Sequence, residues 1–263
     1  MEKRSYQPLK NRRFAEKSSG EMVIGLHPVL ELLKSDKEVE KILINKDLMN
    51  RQEGMDILYA CRKKEIPYQP VPVEKLNRVT PKMHQGVVAF VSPITYQRIE
   101  NLIPYLFEQG EVPFILVLDR ITDVRNFGAI ARTAECAGVH ALVVPEKGAA
   151  QINEDAMKTS AGALNHIPVC RERDLGRALN FLNDSGITII SCTEKGEESL
   201  FETKMEGPVA LVMGSEEDGI SEFLLRKSHH ISALPQSGKV GSLNVSVAAG
   251  VAMFEVLRQR KMS

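Results

Sequence analysis

The chain has 263 residues, 43% of them hydrophobic and 26% charged, with 34 basic residues against 34 acidic. That length holds one large domain or two smaller ones, and the apolar share is enough for a packed core. Balanced charge gives no general affinity for a polyanion, which leaves only local basic patches for that purpose.

The segment from residue 1 to 19 carries Lys3, Arg4, Lys10, Arg12, Arg13 and Lys17 against Glu2 and Glu16. It is expected to be a basic flexible tail, either solvated or in touch with phosphates. Its first residues have no apolar core and do not resemble a signal peptide. Cys61, Cys136, Cys170 and Cys192 form no C-x-x-C pair, so neither a zinc ribbon nor a disulfide framework is expected. Scattered cysteines fit a reducing, cytoplasmic setting. No apolar run reaches the ~18 residues of a transmembrane helix, and no membrane association is expected.

Residues 20–95 read as a small α/β unit. Helices are predicted over Pro28–Lys34 and Met55–Lys64, and strands over Lys41–Ile44 and Gly86–Val91. Pro67, Pro70 and Pro72 are expected to interrupt the stretch between them. A helix over Glu100–Glu108, within a linker 96–111, opens the second domain, 112–263. There the pattern becomes strand–helix alternation. Strands are predicted over Phe114–Leu118, Ala141–Val144, Thr188–Cys192, Val209–Met213 and His230–Leu234. Helices are predicted over Ala129–Ala137, Leu175–Asn183, Ser221–Lys227 and Val245–Gln259. Such alternation implies a mostly parallel sheet covered on both faces, with ligands beyond the carboxyl ends of its strands.

Three strand-end loops carry the polar residues. The first leads from Asp119 to Arg132 and contains Asn126, a candidate helix cap. Arg132 alone fits an exposed helix-face arginine; in a site it would address a phosphate. The second, Gly214-Ser215-Glu216-Glu217-Asp218-Gly219-Ile220-Ser221, brackets three acids with glycines. It is either an acidic surface turn or a ligand-lining loop with Glu216 turned inward, and its acids exclude a phosphate cradle. The third, Gly238-Lys239-Val240-Gly241-Ser242-Leu243-Asn244, is glycine-rich, then small and polar, then helical. Its backbone can approach a ligand closely, and Ser242 or Asn244 can cap the helix. The chain has no G-x-G-x-x-G, no Walker A motif and no H-E-x-x-H, and no metal is expected.

Together the loops resemble the three signature motifs of the SpoU (TrmH-like) RNA ribose 2′-O-methyltransferases of the SPOUT superfamily. They stand here as Asn126-Phe127-Gly128-Ala129-Ile130-Ala131-Arg132-Thr133-Ala134, as Leu211 through Ile220, and as Leu234-Pro235 through Ala248. The likeness covers residues 112–260, and the large-subunit (23S) rRNA guanosine enzymes look most similar. Where the family often has Ile-Pro-Met-x-Gly, this chain has Leu234-Pro235-Gln236-Ser237-Gly238. Gly25-Leu26-His27-Pro28-Val29 and His84 through Ala89 resemble the small L30e-like substrate-binding domain of one branch.

The resemblance implies an α/β fold: a C-terminal parallel-sheet domain with a deep trefoil knot, preceded by the small L30e-like α/β domain. It implies S-adenosylmethionine as cofactor, held by Thr193, Glu194, Gly196, Met213, Gly214, Gly219, Ile220, Leu234, Ser242 and Leu243. It implies methyl transfer to a ribose 2′-hydroxyl of structured RNA. Asn126, Arg132, Glu216, Asn244 and Ser242 would be the catalytic set. Arginine is a very poor base, so Arg132 is expected to organise a phosphate that assists the hydroxyl. A homodimer is implied, with Val247, Val251, Phe254 and Leu257 as an apolar stripe on the last helix. Alternatives left open are a tRNA ribose as substrate and a non-catalytic RNA-binding protein.

Overall fold

The computed structural model describes residues 22–239 and 241–262. The basic-tail expectation, and Val240 of the third loop, lie outside the described residues.

The chain begins with β1 (Met22–Ile24), α1 (Leu26–Lys34), β2 (Val39–Asn45), α2 (Gln52–Lys63), β3 (Tyr68–Val71), α3 (Val73–Val79) and β4 (Val87–Val91). These form a four-stranded sheet in the order β1-β4-β2-β3. β4 is antiparallel to both β1 and β2, and β2 is parallel to β3. Alternation along the strands splits the core. Ile42, Ile44, Val87 and Ala89 face α1 and α2, while Leu43 and Val88 face Leu76 of α3. The proline-rich stretch was expected to interrupt regular structure; instead it supplies β3 and α3. β3 is an edge strand, where Pro70 removes no ladder hydrogen bond on its outer side.

After α4 (Ile99–Glu108), the chain alternates β5 (Phe114–Asp119), α5 (Val124–Cys136), β6 (Ala141–Pro145), α6 (Glu154–Thr159) and β7 (Val169–Glu172). α7 (Leu175–Asp184), β8 (Thr188–Cys192), the short β9 (Glu198–Ser199), β10 (Val209–Gly214), α8 (Glu222–Leu225), β11 (His230–Ala233) and α9 (Val245–Met262) complete it. Seven strands pair in the order β7-β6-β5-β10-β8-β11-β9. Every pairing is parallel. β5 and β10 are central and buried along their whole length, as continuous apolar runs in a doubly covered parallel sheet should be. Phe114, Leu116 and Leu118 point to the layer of α5 and α9. Ile115 and Val117 point to the layer of α4, α7 and α8.

α6 and β7 have no counterpart among the predicted elements. Asn153 starts α6 by accepting from the backbone N–H of Asp155 and Ala156 at 3.0 and 3.1 Å. β7 is the edge strand on which the small sheet domain leans. Arg171 of β7 is ion-paired with Glu40 of β2. Glu40 also accepts a hydrogen bond from the Tyr96 hydroxyl at 2.6 Å. The Arg171 guanidinium sits 3.4 Å from the centre of the Tyr96 ring. Arg173 adds a 3.0 Å pair to Glu65.

Candidate active site

The carboxyl ends of β5, β10, β8 and β11 are adjacent, and all three polar loops leave from them or return to them. Asp119 ends β5, is buried, and accepts from the backbone N–H of Ser221 at 2.8 Å. The next residue, Arg120, bonds Asp119 and reaches Asp218 at 3.0 Å and the Gly219 carbonyl at 3.1 Å. The first and second loops are thereby tied together. Sequence reasoning gave Arg120 no role; an acid closing an apolar strand, followed by an arginine, was the available signal.

The first loop departs from expectation at the helix start. α5 begins at Val124, and its cap is Asp123, which accepts from the Asn126 backbone N–H at 2.8 Å. Asn126 is therefore not the cap, and its side chain is free for the site. Its Nδ2 donates to Glu216 Oε1 at 3.2 Å. Asn244 Nδ2 donates to the same oxygen at 2.6 Å and to Asn126 Oδ1 at 3.0 Å. The Val245 backbone N–H donates to Glu216 Oε1 at 3.3 Å. One carboxylate oxygen thus gathers donors from the first and third loops.

Asn244 also starts α9. Its Oδ1 accepts from the Ser246 backbone N–H at 3.0 Å and its carbonyl accepts from those of Val247 and Ala248. One amide caps a helix with its oxygen and organises the site with its nitrogen.

Arg132 lies six residues beyond Asn126 on α5, roughly 9 Å along the helix axis. It is exposed, and among the described residues its guanidinium has no partner. An unpaired guanidinium in this position offers five donors to an incoming anion. Ser242 is exposed outside the hydrogen-bonded cluster.

Beside this cluster lies a cavity of about 380 Å³ lined by Glu194, Ala233, Leu234, Pro235, Gln236, Gly238, Lys239 and Gly241. Of the residues expected to hold a cofactor, Glu194 and Leu234 line it. Thr193 and Gly196 are not in its lining but flank Glu194 in the loop after β8. Thr193 N–H donates to the Ser232 carbonyl, and a Cβ on Gly196 would come within 2.5 Å of the Ser232 carbonyl carbon. Met213 and Ile220 are buried in the two core layers, and Leu243 is exposed. Gly214 is held by contact: a Cβ there would be 2.1 Å from the Gly219 carbonyl carbon. Gly219 turns the loop at φ 65°, in the left-handed region that favours glycine.

The volume lies within the range of about 300–1,000 Å³ usual for small-molecule sites. Glycines keep part of the wall open, Leu234 gives an apolar contact, and Glu194 supplies a carboxylate. With Lys239 opposite in charge to Glu194 in the same lining, those residues fit a ligand with an apolar ring and a zwitterionic amino-acid end. Burial pushes the Cys192 thiol at the end of β8 up to about 12, so it is no thiolate nucleophile. Among the described residues, no group of three or more His, Cys, Asp or Glu side chains is placed to hold a metal. No described helix is long and apolar enough to cross a membrane.

The SpoU rRNA Methylase family matches residues 113–254. The chain belongs to the SpoU rRNA methylase family. Residues 22–97 match the RNA 2′-O ribose methyltransferase substrate-binding family. The chain is 37% identical over 238 residues to the TrmH-family protein YacO of Bacillus subtilis, spanning 90% of this chain and 95% of that protein. It is 37% identical over 242 residues to the 23S rRNA (guanosine-2′-O-)-methyltransferase RlmB of Yersinia pestis, spanning 91% of this chain and 98% of that protein. Its fold is similar to that of the SpoU methyltransferase AviRb from Streptomyces viridochromogenes, solved in complex with AdoMet. That match has a TM-score of 0.59 and 22% identity over 97% of this chain and 96% of the other. Membership in the SpoU family makes the chain an RNA 2′-O-methyltransferase.

Proposed function

We propose that this SpoU-family protein transfers a methyl group from S-adenosylmethionine to the 2′-hydroxyl of a guanosine in large-subunit rRNA. The observation that carries the RNA assignment is the RlmB relative, whose similarity runs through both domains and nearly all of that protein's length. Bound in the cavity between the loop after β8 and the third loop, the cofactor would supply an electrophilic methyl group. Thr193, Glu194, Gly196, Met213, Gly214, Gly219, Ile220, Leu234, Ser242 and Leu243 would hold it.

Asn126, Glu216 and Asn244 act as one unit that positions the ribose. Arg132 binds the neighbouring phosphate and concentrates its charge beside the hydroxyl, so that the phosphate helps draw off the proton. Ser242 offers a further hydroxyl next to Asn244. The hydroxyl is a poor nucleophile until that proton leaves.

The wider architecture follows the same reading. Residues 20–95 are an L30e-like substrate-binding domain, 96–111 a linker and 112–263 the catalytic domain. β10 lies between β5 and β8, and after β11 the chain crosses back to Asn244 beside β10. That return path supports a trefoil knot. Val247, Val251 and Phe254 are 52%, 38% and 48% exposed along one side of α9, which supports a homodimer packed on that helix. The protein works in the cytoplasm, where its RNA is.

The test is nucleotide-resolution mapping of 2′-O-methylation in RNA from a deletion strain. Loss of methylation at one large-subunit rRNA guanosine is expected. An unchanged rRNA map, or a loss confined to tRNA, would overturn the rRNA assignment.

A further inference from the structure

A second cavity, of about 610 Å³, opens at the start of α5, where its lining runs up to Arg125, the residue before Asn126. It lies between the start of α5 and α6, and Thr122, Asp123, Arg125, Asp155, Lys158 and Thr159 line it. It shares no lining residue with the cavity at the third loop. The two helices that frame it are held together. Asp123 is engaged as the cap of α5. α5 and α6 pack so closely that a Cβ on Gly128 would lie 2.6 Å from Thr159 Cβ. Arg125, Asp155 and Lys158 are exposed, and among the described residues their side chains have no hydrogen-bond or ion-pair partner.

Position restricts what can enter. Arg125 directly precedes Asn126, whose side chain belongs to the ribose-positioning cluster. The base is one glycosidic bond from that ribose, so the cavity next to Asn126 is within its reach. Bases recognised in RNA are commonly unstacked and read on their edges. The cavity presents one free carboxylate and two free cations. Guanine matches this set: N1–H and N2–H₂ are donors, and O6 and N7 are acceptors. Adenine reverses part of the pattern, since its N6 amino group would face a cation and its N1 acceptor a carboxylate.

Building on the methyltransferase reading, we propose that this cavity seats the target guanine. Asp155 accepts from N1–H and N2–H₂, while Lys158 and Arg125 donate to O6 and N7. Asp155 and Lys158 are specificity residues for the base, distinct from the cluster that positions the ribose.

The test uses the full chain, S-adenosylmethionine and rRNA-fragment transcripts carrying guanosine or inosine at the target position. Inosine lacks the N2 amino group. For the wild type, inosine is expected to lower kcat/KM about 10-fold, the scale of one lost base-edge contact. Asp155→Ala should lower kcat/KM on the guanosine RNA about 10- to 100-fold and erase the guanosine-over-inosine preference. Lys158→Ala should lower kcat/KM on both RNAs while keeping the preference. Calorimetric binding of S-adenosylmethionine at wild-type affinity shows that a variant is folded, and Asp155→Asn replaces Asp155→Ala if it is not. An unchanged preference in both Asp155 variants overturns the assignment. Equal losses of RNA affinity in Asp155→Ala and Lys158→Ala with preference intact make the cavity a mere backbone contact, and also overturn it. No methyl transfer by the wild type overturns the activity reading itself, and this assignment with it.

Discussion

Asn244 Nδ2 lies 2.6 Å from Glu216 Oε1, which joins the start of the last helix to the loop after the central strand β10. The same side chain's oxygen caps α9. The two functions separate by substitution. Asn244→Asp keeps an acceptor for the Ser246 N–H but loses the donor and sets a second carboxylate beside Glu216. We expect kcat to fall about 10²- to 10³-fold, the scale of one lost preorganised polar group. Asn244→Ala should fall as far and also lose about 1 kcal/mol of stability with the cap. Methyl incorporation and thermal midpoints measure the two effects, and wild-type turnover in Asn244→Asp would refute the role of the donor.

Arg132 is an exposed cation of α5 and has no partner among the described residues. Arg132→Ala is expected to abolish methyl transfer while calorimetric affinity for S-adenosylmethionine stays near wild type. Arg132→Lys should restore little, because an ammonium lacks the planar fork that grips a phosphate at two points. Weakened cofactor binding in Arg132→Ala would instead place this side chain in the cofactor site.

The sequence made some of this legible and concealed the rest for physical reasons. β5 and β10 are continuous apolar runs because both faces are buried, and that signal is local. The start of α5 was misplaced because Asp123 and Asn126 are both good caps, and Asn126 is withdrawn from capping by Glu216, 90 residues away. α6 and β7 were missed because Glu154–Thr159 has a single fully buried side chain, Ala156, and β7 mixes Val169 and Cys170 with Arg171 and Glu172. The cavity between α5 and α6 was hidden with them. The Arg171–Glu40 pair links positions 131 residues apart and leaves no local trace.

That pair supports a prediction about the junction between the two sheets. The side chains of Arg171 and Glu40 are only 14% and 10% exposed. Removing one partner strands the other charge, at a cost of about 3–5 kcal/mol. Glu40→Ala should therefore lower the denaturation midpoint and, by loosening the substrate-binding domain, raise KM for RNA more than it lowers kcat. Unchanged stability would mean that water replaces Glu40 without loss.

Gly214 offers a steric test of the second loop. A methyl group there meets the Gly219 backbone, which cannot swing aside as a flexible side chain would. Gly214→Ala should cost about 1–3 kcal/mol and displace Glu216 from Asn244. Both the thermal midpoint and turnover should drop. A stable variant with normal activity would mean that the loop can open without disturbing the site.

His140 gives the fold a pH dependence whose sign is determined by burial. Its side chain is 12% exposed, and its Nδ1 accepts from the Phe114 backbone N–H at 3.0 Å. Glu111 faces Nε2 at 3.7 Å, and Arg260 lies near enough to repel a proton. Burial pushes the folded imidazole below its ordinary value of 6.5, and Arg260 adds to this, against the opposing pull of Glu111. The unfolded chain therefore binds the proton first as pH falls. Stability from this residue is present above about pH 6.5 and is lost as pH drops through that value toward the folded pKa. The wild-type thermal midpoint should fall between about pH 7.5 and pH 5.5. His140→Asn keeps an acceptor for the Phe114 N–H without the titration, so its midpoint should fall less over the same interval. Parallel curves for the two proteins would assign the pH dependence to other groups.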